Sequence, residues 1–231
     1  MNLLSVIIPA KNEEDTIVQT IENLLEEFNN IIDYEILVIN DHSDDNTELV
    51  LIKLSSKYHN VFYLNNKQIK GVGNAIKFGI KKSKGDIVAI CMADGSDSPK
   101  DVLISYKFII SGAYDCVFGS RFIIGVKVKD YPFIKWLLNR LFNNFVMFIS
   151  NSKYNDFTNI FKVYRRKVIN SILPINSQGF SIGLEMSLKS FKKMYRIKVI
   201  PISWHQRKAG KSKLKIIPNI RLYFKTLITS L

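Results

Sequence analysis

Short apolar segments alternate with helical patterns through the first 120 residues, and this alternation constrains the fold more than any other feature. A strand, a helix and another strand in succession favour βαβ units, which build a mostly parallel sheet covered by helices on both faces. We therefore expect an α/β fold whose loops meet in one crevice beyond the carboxyl ends of the strands. The predicted strands are Leu3–Ile8, Glu35–Ile39, Val61–Leu64, Ile87–Cys91 and Asp115–Phe118, with helices near Thr16–Phe28, Asp44–Lys57, Asn74–Lys82 and after Pro99.

The rhythm changes after Arg121, where longer helical patterns take over. We interpret this part as an elaboration of the first core, so that residues 1–231 form a single domain with a nucleotide-binding half, about 1–120, and an acceptor-side half, about 121–231. Its predicted elements are a helix at Tyr131–Ile149, a strand at Phe161–Tyr164, a helix at Ile182–Lys192, paired strands at Ile197–Ile200 and Ile202–His205, and a helix at Pro218–Thr229.

Charge divides unevenly along the chain. Residues 1–50 carry a net charge of −11 and residues 121–231 a net charge of +19, within an overall +13. This asymmetry favours an anionic partner for the second half: nucleic acid, phospholipid or a phosphorylated substrate. A genome that favours Lys, Asn and Ile codons explains part of the total charge but not its distribution.

Targeting and membrane-spanning patterns are not found in the sequence. The N-terminal segment has no basic region ahead of an apolar core, so we predict no signal peptide. No stretch of about 18 uncharged apolar residues occurs, so we predict no transmembrane helix. Cys91 and Cys116 lie inside apolar stretches, which favours buried, reduced thiols in a reducing compartment.

The position of the glycines excludes two common nucleotide sites. The first glycine is Gly71, so no glycine-rich turn follows the first strand. Rossmann dinucleotide sites and Walker loops both need glycines there, because the backbone must approach phosphate closely. Sugar-nucleotide pyrophosphorylases also use a glycine-rich loop after their first strand, so the sequence disfavours that class of enzyme as well.

Acidic residues follow two of the predicted strands. Asp41 comes after the second strand, and Asp94 and Asp97 come after the fourth. Carboxylates in a Gly/Ser turn suit a hard divalent cation that also binds substrate phosphates. Each loop taken alone is also typical of a turn and a helix N-cap, and Asp44 and Asp45 fit that alternative best.

Basic residues suggest two phosphate contacts. Arg121 directly follows a strand and the tight Gly119–Ser120 pair, and the segment Arg207–Lys213 places four cations around a glycine and a serine. Such clusters hold phosphate through side chains and backbone N–H groups. The alternative for Arg207–Lys213 is a solvated basic loop.

Six segments in order resemble the family 2 glycosyltransferases of the GT-A fold, and most closely the polyprenyl-phosphate branch that includes dolichol-phosphate mannose synthases. They correspond to the family's Pro-x-x-Asn-Glu opening, its nucleoside loop, a Gly-x-Gly helix start, a Gly-Ser-Arg segment, an Asp-x-Thr stretch and an Arg-x-x-Gly-x-Ser-Lys ending. In this chain they are Val6–Glu14, Ile36–Thr47, Gly71–Gly79, Phe118–Phe122, Asn155–Arg166 and Pro201–Lys213.

The resemblance implies a hexosyltransferase and assigns roles by position. Asp94, Asp156 and Arg121 are the implied catalytic residues, and Asp94 and Asp97 the implied ligands of Mg²⁺ or Mn²⁺. The family's first metal-binding aspartate is Met92 here, so any metal depends on Asp94 with help from Asp97 or a substrate oxygen. The implied nucleotide-sugar site comprises Pro9, Ala10, Glu13, Asp41, Gly71, Asp94 and Arg121, and the implied acceptor-phosphate site comprises Arg207, Lys211, Ser212 and Lys213.

The implied partners are a nucleotide-diphosphate sugar, a polyprenyl-phosphate acceptor and an anionic membrane surface, with a membrane-protein partner as a further candidate. We expect a cytoplasmic protein that is peripheral on a membrane through the helices at Tyr131–Ile149 and Pro218–Thr229, unless both simply face the core. One alternative function is transfer to a glycan hydroxyl in cell-surface polysaccharide synthesis, with Asp156 or Glu185 as general base. Another is a nucleic-acid binder, which the acidic first half disfavours, so we expect no nucleic-acid partner.

Overall fold

The computed structural model describes residues 2–67, 69–123, 126, 132–202 and 216–231, with side chains from 220 onward in the last range. Within these residues seven strands form one sheet. The strands are β1 (Leu4–Ala10), β2 (Tyr34–Asn40), β3 (Val61–Asn65), β4 (Ile87–Ile90), β5 (Cys116–Ser120), β6 (Lys162–Arg165) and β7 (Ile197–Pro201). The helices are α1 (Ile17–Phe28), α2 (Thr47–Lys57), α3 (Val72–Lys82), α4 (Pro99–Ile110), α5 (Phe133–Ile149), α6 (Arg166–Ile172), α7 (Ile182–Lys192) and α8 (Ile216–Ser230).

The order of the strands brings both halves of the chain into the same sheet. The order is β3-β2-β1-β4-β6-β5-β7, and only β6 runs antiparallel to its neighbours. The carboxyl ends of β1, β2, β4 and β5 therefore meet at one edge. Because β6 is reversed, its first residue, Lys162, reaches that edge too, where it pairs with Ile90 of β4 and Phe118 of β5.

Helices cover both faces of the sheet, as the alternating pattern predicts. One face packs against α1, α2 and α4, with Ile21, Leu51 and Val102 in its core. The other packs against α3 and α5 to α8, with Ile76 and Leu184 among its core residues. Cys91 and Cys116 are both buried free thiols.

The observed elements match the predicted ones closely, with three differences. The helix expected from Asp44 begins at Thr47, because the carboxylate of Asp45 accepts hydrogen bonds from the backbone and hydroxyl of Thr47 and holds the preceding residues in a turn. Helix α6 was not predicted, since seven residues are too few for a periodic pattern. Strand β7 pairs with β5, and most of the second strand predicted at Ile202–His205 lies outside the described residues.

Candidate active site

The loops after β1 and β2 are joined directly at the carboxyl edge of the sheet. The backbone N–H of Asp41 donates to the carbonyl oxygen of Ala10 at 2.7 Å, and the N–H of Glu13 donates to the hydroxyl of Thr47 at 2.8 Å. Pro9 and Ala10 end β1 beside the last residues of β2. The structure thus brings the predicted residues Pro9, Ala10, Glu13 and Asp41 together in one pair of linked loops.

Asp41 connects this pair of loops to the start of α3. Its carboxylate accepts hydrogen bonds from the side-chain amide of Asn66 and from the backbone N–H of Gly71, both at 2.8 Å. Gly71 has a φ of 147°, and an added Cβ would lie 2.5 Å from the carbonyl oxygen of Gln178, so only glycine fits there. Asn66 is buried and was missed by the sequence analysis, which had only its place after β3 to indicate it.

The loop after β4 holds the two predicted metal ligands. Thr16 lies just before α1 and Thr20 lies within it, and both hydroxyls donate to the carbonyl oxygen of Ala93. These hydrogen bonds fix the loop against the β1 side of the site. One oxygen of Asp94 accepts the N–H of Ser96, and one oxygen of Asp97 accepts the N–H of Met92 at 2.8 Å.

Electrostatics at this loop suits a cation. The pKa of Asp97 is raised to about 7, mainly by burial of the carboxyl. The hydrogen bond from the N–H of Met92 opposes this rise, the charge of Asp94 adds to it, and the charge of Arg121 opposes it. Among the described residues no cluster of three or more His, Cys, Asp or Glu side chains occurs. Two adjacent carboxylates still fit Mg²⁺ or Mn²⁺, because such ions commonly take one or two carboxylates and complete their shell with phosphate oxygens and water.

Arg121 and Asp156 form a buried ion pair at the end of β5. Asp156 is 0% exposed, and it accepts hydrogen bonds from the backbone N–H, Nε and Nη2 of Arg121 at 3.0, 2.9 and 2.8 Å. The Arg121 side chain is 11% exposed. Asp156 was expected at the reacting centre, but a carboxylate with both oxygens bound to a guanidinium and no exposed surface is poorly placed to accept a proton from a substrate. The geometry gives it the role of orienting Arg121.

Glu185, the other general-base candidate, is also engaged. It is 2% exposed, and its oxygens accept the backbone N–H groups of Asn176 and Ser177 and the amine of Lys189. Burial alone would raise the pKa of Glu185, but these hydrogen bonds lower it below its ordinary value. Arg207, Lys211, Ser212 and Lys213, the predicted acceptor-phosphate residues, lie outside the described residues.

Helices α5 and α8 pack side by side and expose a broad apolar surface, which we call the α5–α8 face. The ring of Phe224 in α8 contacts those of Phe142 and Phe145 in α5, with centroids 5.4 and 6.4 Å apart. Only Asn143 and Val146 of α5 are fully buried, so α5 is not an ordinary core-facing helix. The exposed members of the face are Phe133, Ile134, Trp136, Leu137, Leu138, Leu141, Phe145, Phe148, Ile220, Leu222, Phe224 and Ile228.

None of the helices in the described part of the chain is long and apolar enough to cross a membrane. The two helices of the α5–α8 face also carry charges. Those charges are Lys135, Arg140, Arg221 and Lys225, all of them positive.

Comparison with known proteins agrees with the predicted family and fold. Residues 5–173 match the profile of glycosyl transferase family 2. The chain belongs to this family. The match covers every strand but β7 and includes all the predicted donor-side residues.

Two relatives have names of one kind, both describing transfer of mannose to a polyprenyl phosphate. The chain is 30% identical over 217 residues to a dolichol-phosphate mannosyltransferase of Pyrococcus furiosus, covering 92% of this chain but only 59% of that protein. It is 24% identical to a polyprenol monophosphomannose synthase of Mycolicibacterium smegmatis, covering 90% of this chain and 80% of the relative.

Solved structures share the GT-A fold across nearly the whole chain. Glucosyl-3-phosphoglycerate synthase of Mycobacterium tuberculosis superposes with a TM-score of 0.77 at 17% identity, over 99% of this chain and 80% of that one. The same enzyme has been solved with Mn²⁺, uridine diphosphate and glucosyl-3-phosphoglycerate. At this identity the likeness concerns the fold alone.

Proposed function

We propose that this chain is a glycosyltransferase that moves a hexose from a nucleotide-diphosphate sugar to a polyprenyl phosphate. The proposal divides the chain into a donor half, about 1–120, and an acceptor half, about 121–231. The names of its relatives support it, and one structural observation carries it. The two carboxylates that the sequence offers as general bases for a hydroxyl acceptor, Asp156 and Glu185, are both buried and occupied by hydrogen bonds.

An acceptor's ionisation state decides whether a base is needed. A sugar hydroxyl must lose its proton as it attacks, and a carboxylate within hydrogen-bond reach normally takes it. A phosphate monoester is already anionic at neutral pH and attacks without such help. The engaged state of Asp156 and Glu185 therefore favours the phosphate acceptor over the glycan hydroxyl.

The donor half would hold the nucleotide. We assign Pro9, Ala10, Glu13 and Asp41 to the base and ribose, because these residues line the joined loops at the carboxyl edge. Gly71 contributes by holding Asp41 in place through its N–H.

Asp94, helped by Asp97, would hold Mg²⁺ or Mn²⁺ beside the diphosphate. A divalent cation there supplies charge that stabilises the departing nucleoside diphosphate. Asp97 also fixes the loop by accepting the N–H of Met92, so Asp94 is the better candidate for the principal ligand.

Arg121 would serve the phosphates at the reacting centre. In the proposed step a phosphate oxygen of the acceptor forms a bond to the anomeric carbon, while the bond from that carbon to the diphosphate oxygen breaks. Negative charge shifts from acceptor to leaving group, and a preorganised guanidinium stabilises it without having to reorient. Asp156 provides that preorganisation through its hydrogen bonds to Arg121.

The acceptor half would meet a membrane. We propose that the α5–α8 face rests on the cytoplasmic surface of an anionic bilayer, its apolar residues in the interface and the cations Lys135, Arg221 and Lys225 near lipid phosphates. Such a position would let a polyprenyl phosphate reach Arg121 from the lipid. The Arg207–Lys213 segment is the second proposed phosphate contact.

Flotation tests the membrane part of this proposal. Phe148 is 83% exposed and Ile228 76%, so replacing both with Ser should leave folding unchanged. We expect wild-type protein to float with anionic liposomes at low salt and the double variant to lose most of that binding. Equal flotation of the two proteins would contradict a role for the α5–α8 face.

The class of acceptor is tested by supplying lipid and oligosaccharide acceptors to the enzyme. Purified protein with Mg²⁺ or Mn²⁺ is offered a panel of nucleotide sugars, first by thermal shift to find the donor, since a ligand at 100 times its dissociation constant stabilises by about 2.7 kcal/mol. The selected donor, labelled in the sugar, is then supplied with polyprenyl phosphate or with oligosaccharide acceptors. We expect label in the lipid fraction. Transfer to the oligosaccharides with none to lipid would establish the hydroxyl alternative.

A further inference from the structure

A lysine with no role in the proposed step lies buried beside the Arg121–Asp156 pair. Lys162 begins β6 at the site edge of the sheet and is 1% exposed. An ammonium group in such a position loses its hydration, and lysines are almost never buried this completely unless something compensates the charge. Its surroundings therefore indicate what it does.

The amine of Lys162 is held by the loop between α5 and β6. It donates to the carbonyl oxygen of Phe157 at 3.3 Å and to that of Asn159. It also lies 5.5 Å from the ring centroid of Phe118 and 5.7 Å from that of Tyr154, within the range of cation–π attraction. All four partners are uncharged, so the formal charge of Lys162 is not cancelled by them.

The loop held by Lys162 fixes Arg121 at two points. It carries Asp156, which binds the guanidinium and the backbone N–H of Arg121. The amide of Asn159 and the hydroxyl of Tyr154 donate to the carbonyl oxygen of Gly119, at 3.2 and 2.9 Å, two residues before Arg121. Movement of this loop would therefore displace both the side chain and the backbone of Arg121.

The net charge of Arg121, Asp156 and Lys162 indicates a second role for Lys162. Arg121 and Asp156 cancel each other, so a phosphate approaching this pair alone would find hydrogen-bond donors but no net positive charge. Lys162 brings the buried group of three to a net charge of one. Burial lowers the pKa of Lys162 to about 7, while the negative charge of Asp156 favours the protonated form and the positive charge of Arg121 disfavours it.

We infer that Lys162 is a positioning residue for phosphate binding at Arg121: it anchors the loop that orients Arg121 and supplies the net positive charge of the group. The inference rests on the proposed function, because it assumes that Arg121 contacts a phosphate.

Binding of farnesyl phosphate, a short prenyl phosphate, measures the contact without turnover. Lys162→Met removes the charge at similar length, and Lys162→Arg retains it. Lys198→Met is a matched control, because Lys198 is also a strand lysine between two rings, at 5.3 Å from Phe108 and 5.6 Å from Tyr114, but belongs to β7. Affinity by calorimetry at pH 6.5 and the melting temperature are recorded for each.

We expect Lys162→Met to weaken binding by at least about tenfold, the effect of one unit charge within about 12 Å at an effective dielectric constant of about 20. Its melting temperature should hold or rise, since a buried charge is replaced by an apolar chain. Lys162→Arg should stay within about threefold of wild type, and Lys198→Met should be unchanged. In an Arg121→Gln background, Lys162→Met should weaken binding less than it does in the wild-type background, because the part of its effect that acts through the orientation of Arg121 is then lost.

Three results would overturn the inference. If Lys162→Met binds farnesyl phosphate with wild-type affinity, Lys162 has no electrostatic role in phosphate binding. Parallel loss of affinity and melting temperature, with the same loss in the Arg121→Gln background, leaves Lys162 only a structural role. If wild-type protein binds a nucleotide sugar but neither binds nor glycosylates farnesyl phosphate, the proposed acceptor is wrong, and the inference falls with it.

Discussion

Replacing Asp156 with asparagine tests how strongly the site depends on its buried ion pair. Asp156→Asn keeps the size of the side chain and one carbonyl oxygen, but removes the negative charge. An NH₂ group replaces the second oxygen. In the variant this donor faces an N–H of Arg121, whereas in the wild-type protein the carboxylate accepts hydrogen bonds there at 2.8–3.0 Å.

The expected cost follows from the burial of the pair. Removing one partner of a buried ion pair costs about 3–5 kcal/mol, because the other charge stays buried without compensation. Asparagine still accepts one hydrogen bond, and this lowers the cost of the substitution. Lys162, however, loses the nearby negative charge that favours its protonated form, and this loss increases the cost. We therefore expect a loss of about 3 kcal/mol in the free energy of unfolding. A domain of this size, stable by about 5–15 kcal/mol, should remain folded.

Urea denaturation followed by circular dichroism measures this loss. Asp115→Asn is the matched control: it is the same substitution at a buried carboxylate, but the cationic partners Lys167 and Arg196 are 62% and 57% exposed. Solvent screening should limit its cost to about 1 kcal/mol. A double-mutant cycle of Asp156→Asn with Arg121→Met should show a coupling of at least about 1.5 kcal/mol. A loss below about 1 kcal/mol for Asp156→Asn, or simple additivity in the cycle, would refute the reasoning.

Three further predictions concern the rest of the chain. Asp94→Asn should leave the melting temperature unchanged, cut sugar transfer at least about a hundredfold and weaken Mn²⁺ binding measured by electron paramagnetic resonance; near-normal transfer would exclude Asp94 as principal ligand. Gly73→Ala should cost about 2 kcal/mol, because its Cβ would lie 2.6 Å from the backbone of Gln178, whereas Gly179→Ala meets nothing within 4 Å and should be neutral by thermal unfolding. Burial alone would raise the pKa of Asp115, but its cationic partners lower it to about 2, below its ordinary 3.8. The stabilisation of the folded state by ionised Asp115 should therefore be complete above about pH 4 and lost toward pH 2. At that pH the stability of Asp115→Asn should converge on that of wild type.

Local patterns predicted most of the elements because each has a period that the sequence displays. The bounds of α7, Ile182–Lys192, coincide with the predicted ones. Pairing between distant strands has no such signature. The insertion of β6 between β4 and β5, which places Lys162 between Ile90 and Phe118, depends on contacts across the chain that no window of sequence contains.

The same distinction applies within the site. The placement of the Asp41 and Asp94 loops at one edge of the sheet followed from a general rule about the carboxyl ends of parallel strands. The partner of each charged side chain did not follow from it. The sequence singled out Asp156 as a candidate site residue, but its sequence context could not reveal that both its oxygens face Arg121. A charge acts according to its neighbours in space, and those neighbours are set only when the fold is complete.

The charged side chains proposed to act in each half suit the chemistry of that half. A divalent cation needs carboxylates, and the loop that carries Asp94 and Asp97 belongs to the donor half. A phosphate acceptor and an anionic bilayer need cations, and Arg121, Lys162 and the charges of the α5–α8 face all belong to the acceptor half. Opposite charges in the wrong half would compete with substrate for the same groups. On the proposed function, the carboxylates of the loop that carries Asp94 would serve the donor, and the cations beyond residue 120 would serve the acceptor phosphate.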